Sequence, residues 1–396
     1  MAQKLKFGNG TWATKEGSTL AYNDENENYK PLPFSFERDS IATRVNKEGL
    51  IEVVGNNIPR IDYTDSADGV LLLEPSRTNY IYPSINLSNW ANFSAGGTIT
   101  VTDNYAISPD GTQNASRIEM SGGNAVQWTY QNVSNLGTFA SFYVKSTNSN
   151  NQDFRWFWNN GSEGVDLVAT SEWQRFEVSV SQSSSLPMGF TTHSNLSSSD
   201  ILVYGVQVEQ SSYATSYIPT SDSTVPRAAE TANGSGNSEV FNDSEGVLFA
   251  NTATLQEGVT EKIISLSDGT TSNNIYFSFS GTANTIYSLV ISGGSTQASL
   301  STTVSQIQPN KLLIKYKSND ISFWLNGFKV GFDTSANTPS GLKNLSFSYP
   351  TNAINFYGKT KEVGYYDTAL TDEELEYLTS YRSLNELVTE LNLNTL

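Results

Sequence analysis

The sequence predicts an all-β chain built of two antiparallel β-sandwiches. Short alternating runs recur along it, as in Ile201-Leu-Val-Tyr-Gly-Val-Gln-Val, Ile275-Tyr-Phe-Ser-Phe and Ile321-Ser-Phe-Trp-Leu-Asn-Gly, and alternation with period two marks a strand with one face buried. Clusters of Gly, Asn, Asp and Ser cut these runs at short intervals: Ala95-Gly-Gly, Ser121-Gly-Gly-Asn, Asn159-Asn-Gly and Ser292-Gly-Gly. Helical patterns do not intervene between the strands, which favours sandwiches over βαβ units. The 396 residues suit two or three domains. Hydrophobic residues make up only 37%, but 7 Trp, 20 Tyr and 19 Phe let modest cores form from few side chains, because each ring buries a large area.

Taken in chain order, residues 1–60 come first. Pro31, Pro33 and Pro59 with scattered charges predict an irregular or extended segment. It is neutral, with 8 Lys/Arg against 8 Asp/Glu, whereas the other 336 residues carry 15 basic and 32 acidic side chains. A neutral leader ahead of an acidic body suggests two different jobs. Residues 61–225 have the length of one sandwich. The small, polar stretch around Asn233-Gly-Ser-Gly-Asn-Ser has linker composition, so a linker is expected at 226–240 and a second sandwich at 241–370. Within the latter, Asn326-Gly327 predicts a type I′ hairpin turn.

Residues 371–396 predict a helix. Thr371-Asp-Glu-Glu374 reads as a capping box, with the acidic first turn facing the positive end of the helix dipole. Tyr377, Tyr381, Leu384, Val388 and Leu391 follow at heptad spacing, a candidate oligomer seam, while Leu375, Leu378 and Leu387 widen the apolar face toward docking on a sandwich. Both readings, subunit contact and helix on core, stand at this point.

Composition excludes much chemistry. Absence of cysteine removes disulfides, thiolate metal sites and cysteine nucleophiles. The single histidine, His193, sits in a polar loop-like stretch without a nucleophile elbow. A formal charge of −17 argues against nucleic acid, which needs a basic surface. No apolar run approaches the ~18–20 residues of a membrane span, and the N-terminus lacks an apolar signal-peptide core. No phosphate-binding glycine motif occurs. No catalytic residue is assigned and no enzyme is expected, although 40 acidic residues leave open a glycosidase using two carboxylates. No cofactor is expected beyond Ca2+, for which Asp- and Asn-rich turns leave room without any EF-hand-like loop.

Aromatic residues are the candidate ligand contacts. In Asp153-Phe-Arg-Trp-Phe-Trp-Asn159, strand alternation puts Phe154, Trp156 and Trp158 on one face and Arg155 and Phe157 on the other. Trp156 and Trp158 are either a platform stacking on sugar or part of the sandwich core. Trp128 and Tyr130 form a similar same-face pair. Trp324, a third stacking candidate, lies opposite Phe323 and Leu325. One of those two faces is core, so either Trp324 or the Phe323/Leu325 pair is the more exposed.

Two stretches resemble a recurrent module of tailed-bacteriophage virion proteins. One runs from Phe34-Ser-Phe-Glu-Arg-Asp-Ser-Ile-Ala-Thr-Arg-Val to Pro59-Arg-Ile-Asp-Tyr and Leu71-Leu-Leu-Glu-Pro-Ser-Arg-Thr-Asn79. The other joins Val206-Gln-Val-Glu, Tyr213-Ala-Thr-Ser-Tyr-Ile-Pro-Thr220 and Arg227-Ala-Ala-Glu230. In order and spacing they resemble the start and end of a carbohydrate-binding-like jelly roll of phage fibre and decoration proteins. Farther on, Trp324-Leu-Asn-Gly-Phe-Lys-Val and Val363-Gly-Tyr-Tyr-Asp-Thr-Ala-Leu-Thr-Asp-Glu-Glu-Leu375 resemble a laminin-G/concanavalin-like sandwich, whose relatives commonly bind glycans or proteins and sometimes hold calcium. The resemblance implies a non-enzymatic virion protein, a head or tail fibre or a decoration protein, assembled in the host cytoplasm and exposed on the particle. It would attach to other virion proteins through residues 1–60, bind host-surface glycans and form a trimer. A bacterial adhesin or carbohydrate-binding accessory protein, and a glycan depolymerase, are the alternatives.

Overall fold

A computed structural model describes residues 3–20, 31–122, 127–133, 138–181, 185–192 and 198–390. It is all-β, and its sheets are antiparallel throughout. The chain divides into two compact units, one of residues 1–39, 55–75 and 229–396, the other of residues 40–54 and 76–228.

The first unit contains an eight-stranded sheet. Phe328–Asp333, Ile321–Leu325, Asn310–Lys317, Glu245–Thr254, Gly358–Tyr366, Val70–Leu73 and Arg60–Asp62 follow one another across it, with Leu5–Gly8 also paired to Gly358–Tyr366. A five-stranded sheet runs Ser295–Thr303, Thr285–Ser292, Asn274–Phe279, Lys262–Ser267, Asn344–Ser346. One apolar core joins Leu248, Ile314 and Phe323 of the larger sheet to Ile264, Phe277 and Val290 of the smaller. The far face of the larger sheet is also apolar: Val247, Phe249, Leu313, Trp324 and Tyr366 pack with Leu370 and with Leu375 and Leu378 of the helix Asp372–Thr379. Glu245–Thr254 is accordingly buried at every position after the first, since both its faces are covered.

Several local expectations hold. Asn326 and Gly327 have φ of 48° and 91°, as a type I′ turn requires, and Leu325 pairs with Phe328 across it. Thr371 accepts from the Glu374 N–H while the Glu374 side chain accepts from the Thr371 N–H, the expected capping box.

Others are corrected. The described part of residues 1–60 is not an irregular arm. Leu5–Gly8 is a strand on Gly358–Tyr366, and Leu5, Phe7, Phe34 and Phe36 are core residues of the first unit, while residues 40–54 belong to the second unit. Prolines and charges disguised strands only three or four residues long, too short to show alternation. The domain boundaries expected at 60/61 and 225/226 accordingly fall elsewhere, because the chain passes between units at 39/40, 54/55, 75/76 and 228/229. Residues 226–240 are not a free linker: Val225–Arg227 and Thr231–Asn233 are strands, paired with Arg77–Asn79 and Phe34–Glu37. Small residues are needed there for close packing, as at Gly236 (φ 86°), where a Cβ would sit 2.3 Å from the Phe241 ring.

Near the points where the chain leaves the first unit lies a buried charge cluster of Arg38, Arg60, Glu74 and Glu230. Glu230 accepts from Arg38 Nη1 at 2.7 Å and from Arg60 Nε at 2.8 Å, and its other oxygen accepts from Arg60 Nη2 and from the Glu74 N–H at 2.9 Å. Glu74 pairs with Arg60 at 2.8 Å, and Arg38 donates further to the carbonyls of Ile58 and Gly55. Burial pulls the Arg60 guanidinium down, but Glu230 and Glu74 outweigh it and hold its pKa above the ordinary arginine value.

The second unit is a sandwich of two five-stranded sheets with alternating, jelly-roll-like connections. One sheet runs Ala91–Ser94, Gln127–Val133, Leu186–Thr192, Gln152–Trp158, Glu163–Ala169; the other runs Thr98–Ile107, Gln113–Ser121, Ser198–Glu209, Phe139–Ser146, Gln174–Ser179. Between them lies a core rich in rings, with Trp90, Phe142, Phe154, Trp156 and Phe190. The hairpin Ala42–Val45/Ile51–Val54 packs Ile51 and Val45 against Tyr204, Tyr217 and Tyr143.

Candidate functional site

The first of the two sheets just described in the second unit places three of the candidate rings. Its strand Gln152–Trp158 sends Phe154, Trp156 and Trp158 inward. Trp156 is 0% exposed, in edge contact with Phe190 at 5.0 Å, so it has no face for a sugar. Trp158 is likewise buried at the margin, and its indole N–H donates to Glu163 at 2.8 Å. Neither is a stacking residue. Trp324 is not one either: at 5% exposure it lies beneath the C-terminal helix, with Phe323 in the main core on the opposite face. Neither face is the more exposed one in any useful sense, because both are buried and the helix supplies the second cover.

The opposite face of the same sheet is a different matter. Register aligns Phe93, Trp128, Thr191, Arg155 and Asp166 in one row across all five strands. The neighbouring row runs Tyr130, Gly189, Phe157, Gly164. The Trp128 ring lies 4.9 Å from Phe157, 5.3 Å from Phe93 and, edge-on at 88°, 6.4 Å from Tyr130. Phe157 is fully buried, whereas Phe93 is 47% exposed and Trp128 and Tyr130 are half-buried. A partly exposed indole on an aromatic bed therefore stands at the surface of the unit.

Glycines make room for it. A Cβ on Gly161 (φ 80°) would fall 2.3 Å from the Trp128 ring, one on Gly164 would meet Arg155 Nε at 2.6 Å, and one on Gly189 would meet the Thr129 carbonyl at 2.1 Å. The turn Asn159–Gly161 that carries Gly161 is held by Glu163, which accepts from the Asn159 amide at 2.6 Å, from Trp158 and from the Ser181 hydroxyl. Those donors, Ser181 foremost, keep the Glu163 carboxyl below the usual glutamate range. Trp158 thus positions the turn against Trp128 and does not itself stack.

Beside the rings, Arg155 Nη1 donates to Asp166 Oδ1 at 2.8 Å. Arg155 Nε and Thr191 Oγ1 are buried and have no hydrogen-bond partner among the described residues. Buried polar atoms are normally satisfied by protein, water or ligand, and these two lie beneath the surface beside the indole, with the exposed Asp166 carboxylate above them. An aromatic plane flanked by polar groups is the arrangement that holds a sugar ring, whose C–H face packs on the indole while its hydroxyls take the hydrogen bonds.

The remaining candidates lie elsewhere. The C-terminal helix is two short helices, Asp372–Thr379 and Leu384–Glu390, separated at Ser380 (ψ 155°). Lys311 Nζ fastens this break, donating to the Ser380 carbonyl at 3.1 Å and to Glu386 at 2.5 Å. The heptad seam is consequently interrupted. Tyr377 stacks with Arg382 at 4.3 Å, Tyr381 with Lys311 at 4.8 Å, Leu384 is 68% exposed, Val388 half-buried, and Leu391 lies outside the described residues, as does His193. Among the described residues no group of three or more His, Asp or Glu is placed to hold a metal ion.

No protein-family model matches this chain, and no curated protein does. Among solved structures it is similar to the CBM40 domain of the Ruminococcus gnavus IT-sialidase, also solved with α2,3- and α2,6-sialyllactose bound. The first of these aligns at 16% identity and a TM-score of 0.32 over 37% of this chain and 94% of that one. Mouse laminin α1 domains LG4-5 align at 9% identity and TM-score 0.25, over 78% and 92% of the two chains. Trypanosoma rangeli sialidase aligns at 10% and 0.29, over 91% and 81%. Likenesses this loose carry no argument about ligand or activity.

Proposed function

We propose that this protein is a non-enzymatic glycan-binding protein, displayed on the surface of a tailed-phage virion as a fibre or decoration protein. The Trp128 face of the jelly roll carries the glycan part of the reading. It combines a half-buried indole at the surface, glycine-cleared space and an exposed carboxylate, whereas Trp156, Trp158 and Trp324 are all buried. The CBM40 neighbour's sialyllactose complexes are compatible with a glycan ligand but do not carry the reading. The virion part is supported by the sequence resemblance alone. Single sites of this kind bind weakly, and repeated display raises avidity through effective concentration.

The test is a glycan array probed with the whole chain and with Trp128→Ala. Truncating a stacking ring costs on the order of 1–3 kcal/mol, so wild-type signals should fall about tenfold or more in the variant, with its unfolding temperature little changed. Equal signals from both proteins would reject the face. Antibody labelling of purified phage particles tests the virion location, and unlabelled particles would favour the adhesin reading. Release of reducing ends from any bound polysaccharide would favour the depolymerase.

A further inference from the structure

We propose that Asp166 sets the ligand class of the Trp128 face, restricting it to neutral sugars and excluding carboxylated ones. This rests on the reading of that face as a glycan site. Among the described residues, Arg155 is the only cation projecting from the outer face of the sheet's strands, since the other outward charges on the strands Gln152–Trp158 and Glu163–Ala169 are Asp153 and Asp166. Its Nη1 is already engaged by Asp166 at 2.8 Å. A sugar carboxylate seeking the bidentate guanidinium geometry that such groups favour would therefore meet an arginine whose charge is matched, beside a second carboxylate. The whole unit repeats this sign, with 8 Lys/Arg against 13 Asp/Glu, a net of −5, so its field also repels an approaching anion.

A neutral sugar meets no such penalty. Its hydroxyls can donate to Asp166, whose side chain is 65% exposed. Asp166, held in place by Arg155, then offers a fixed acceptor to a polyol, with Trp128 supplying the plane. Asp166 is 65% exposed at its side chain, so substituting it does not disturb the core.

The experiment compares sugars differing only at C6. Polyacrylamide conjugates of β-D-glucoside and β-D-glucuronide, and of β-D-galactoside and β-D-galacturonide, are titrated against wild type, Asp166→Asn, Trp128→Ala and the double variant Asp166→Asn/Arg155→Met. Wild type should bind a neutral conjugate at least tenfold more tightly than its uronide. Asp166→Asn should erase or reverse that preference, and the added Arg155→Met should remove the gained uronide binding. A wild type that prefers uronides, or a preference unchanged in Asp166→Asn, overturns the assignment of Asp166 while Trp128-dependent binding leaves the glycan site standing. Binding unaffected by Trp128→Ala, or no binding to any conjugate, overturns both.

Discussion

Replacing Glu230 with Gln removes one charge from the most deeply buried ionic cluster of the first unit. In the native protein Glu230 matches two guanidinium groups that are themselves fully buried, and also accepts the Glu74 N–H. Glutamine keeps the size but not the charge, and its amide group turns a donor toward Arg38 or Arg60. Arg60 then keeps its pair with Glu74, and Arg38 keeps the carbonyls of Ile58 and Gly55, but both lose the carboxylate that matched them. Breaking a buried pair while leaving its cation in place costs about 3–5 kcal/mol, a large part of the roughly 5–15 kcal/mol that holds a domain folded. For a unit of about 230 residues, at about 2–4 °C per kcal/mol, the transition of the first unit should move down by about 6–20 °C. Differential scanning calorimetry reads this directly, with Asp65→Asn, which removes the exposed partner of Lys359, as the control that should leave the transition in place. If Glu230→Gln unfolds with the control, the cluster is not a determinant of stability and its charges are solvated.

Two further outcomes follow from the same structure. Trp324→Ala should destabilise the first unit by about 3–5 kcal/mol without changing glycan binding, since the ring is covered by the C-terminal helix; loss of binding at unchanged stability would restore it as a contact residue. Burial pushes the Glu362 carboxyl above its ordinary 4.5, against the opposing pull of Lys6. The folded chain then keeps that proton to higher pH than the unfolded chain, so stability from this group is greatest below pH 4.5 and falls as pH rises through the raised value. Glu362→Gln should flatten that part of a stability-against-pH curve, and an unchanged slope would show the group to be hydrated.

The alternating runs and polar turns made the fold class legible, and Asn326-Gly327 and Thr371–Glu374 were legible down to backbone geometry, because each is decided by neighbours within four residues. The course of the chain between units was not. Leu5–Gly8 pairs with a strand some 350 positions later, and nothing local in Leu-Lys-Phe-Gly announces that partner. Trp324 shows a related blind spot: alternation says that two faces differ, not that a helix fifty residues on covers the second. The heptad seam failed for the converse reason. Its spacing is intact, but Thr379 is drawn into hydrogen bonds with the Gly327 N–H and the Leu375 carbonyl, and the chain turns out of the helix at the next residue.

The same strand also shows why Trp156 and Trp158 are not stacking residues. In Phe154-Arg-Trp-Phe-Trp158 the alternation separates the rings correctly, and a count of rings favours the face with three. Yet the richer face is the one a core claims first, since burial of aromatic area is what holds a cysteine-free sandwich together. What is left at the surface is the poorer face, where one phenylalanine, an arginine and neighbouring glycines accept an indole from the next strand but one. Gly161, Gly164 and Gly189 were visible in the sequence as turn or strand punctuation; only register reveals that all three clear space around Trp128 and Arg155. The motif residues Arg38, Arg60, Glu74 and Glu230 make the complementary point. They were read as marks of a family, and they turn out to be mutually obligatory because none of the four can be buried unpaired. Such a motif reports a fold, and the ligand has to be sought where side chains are still unsatisfied.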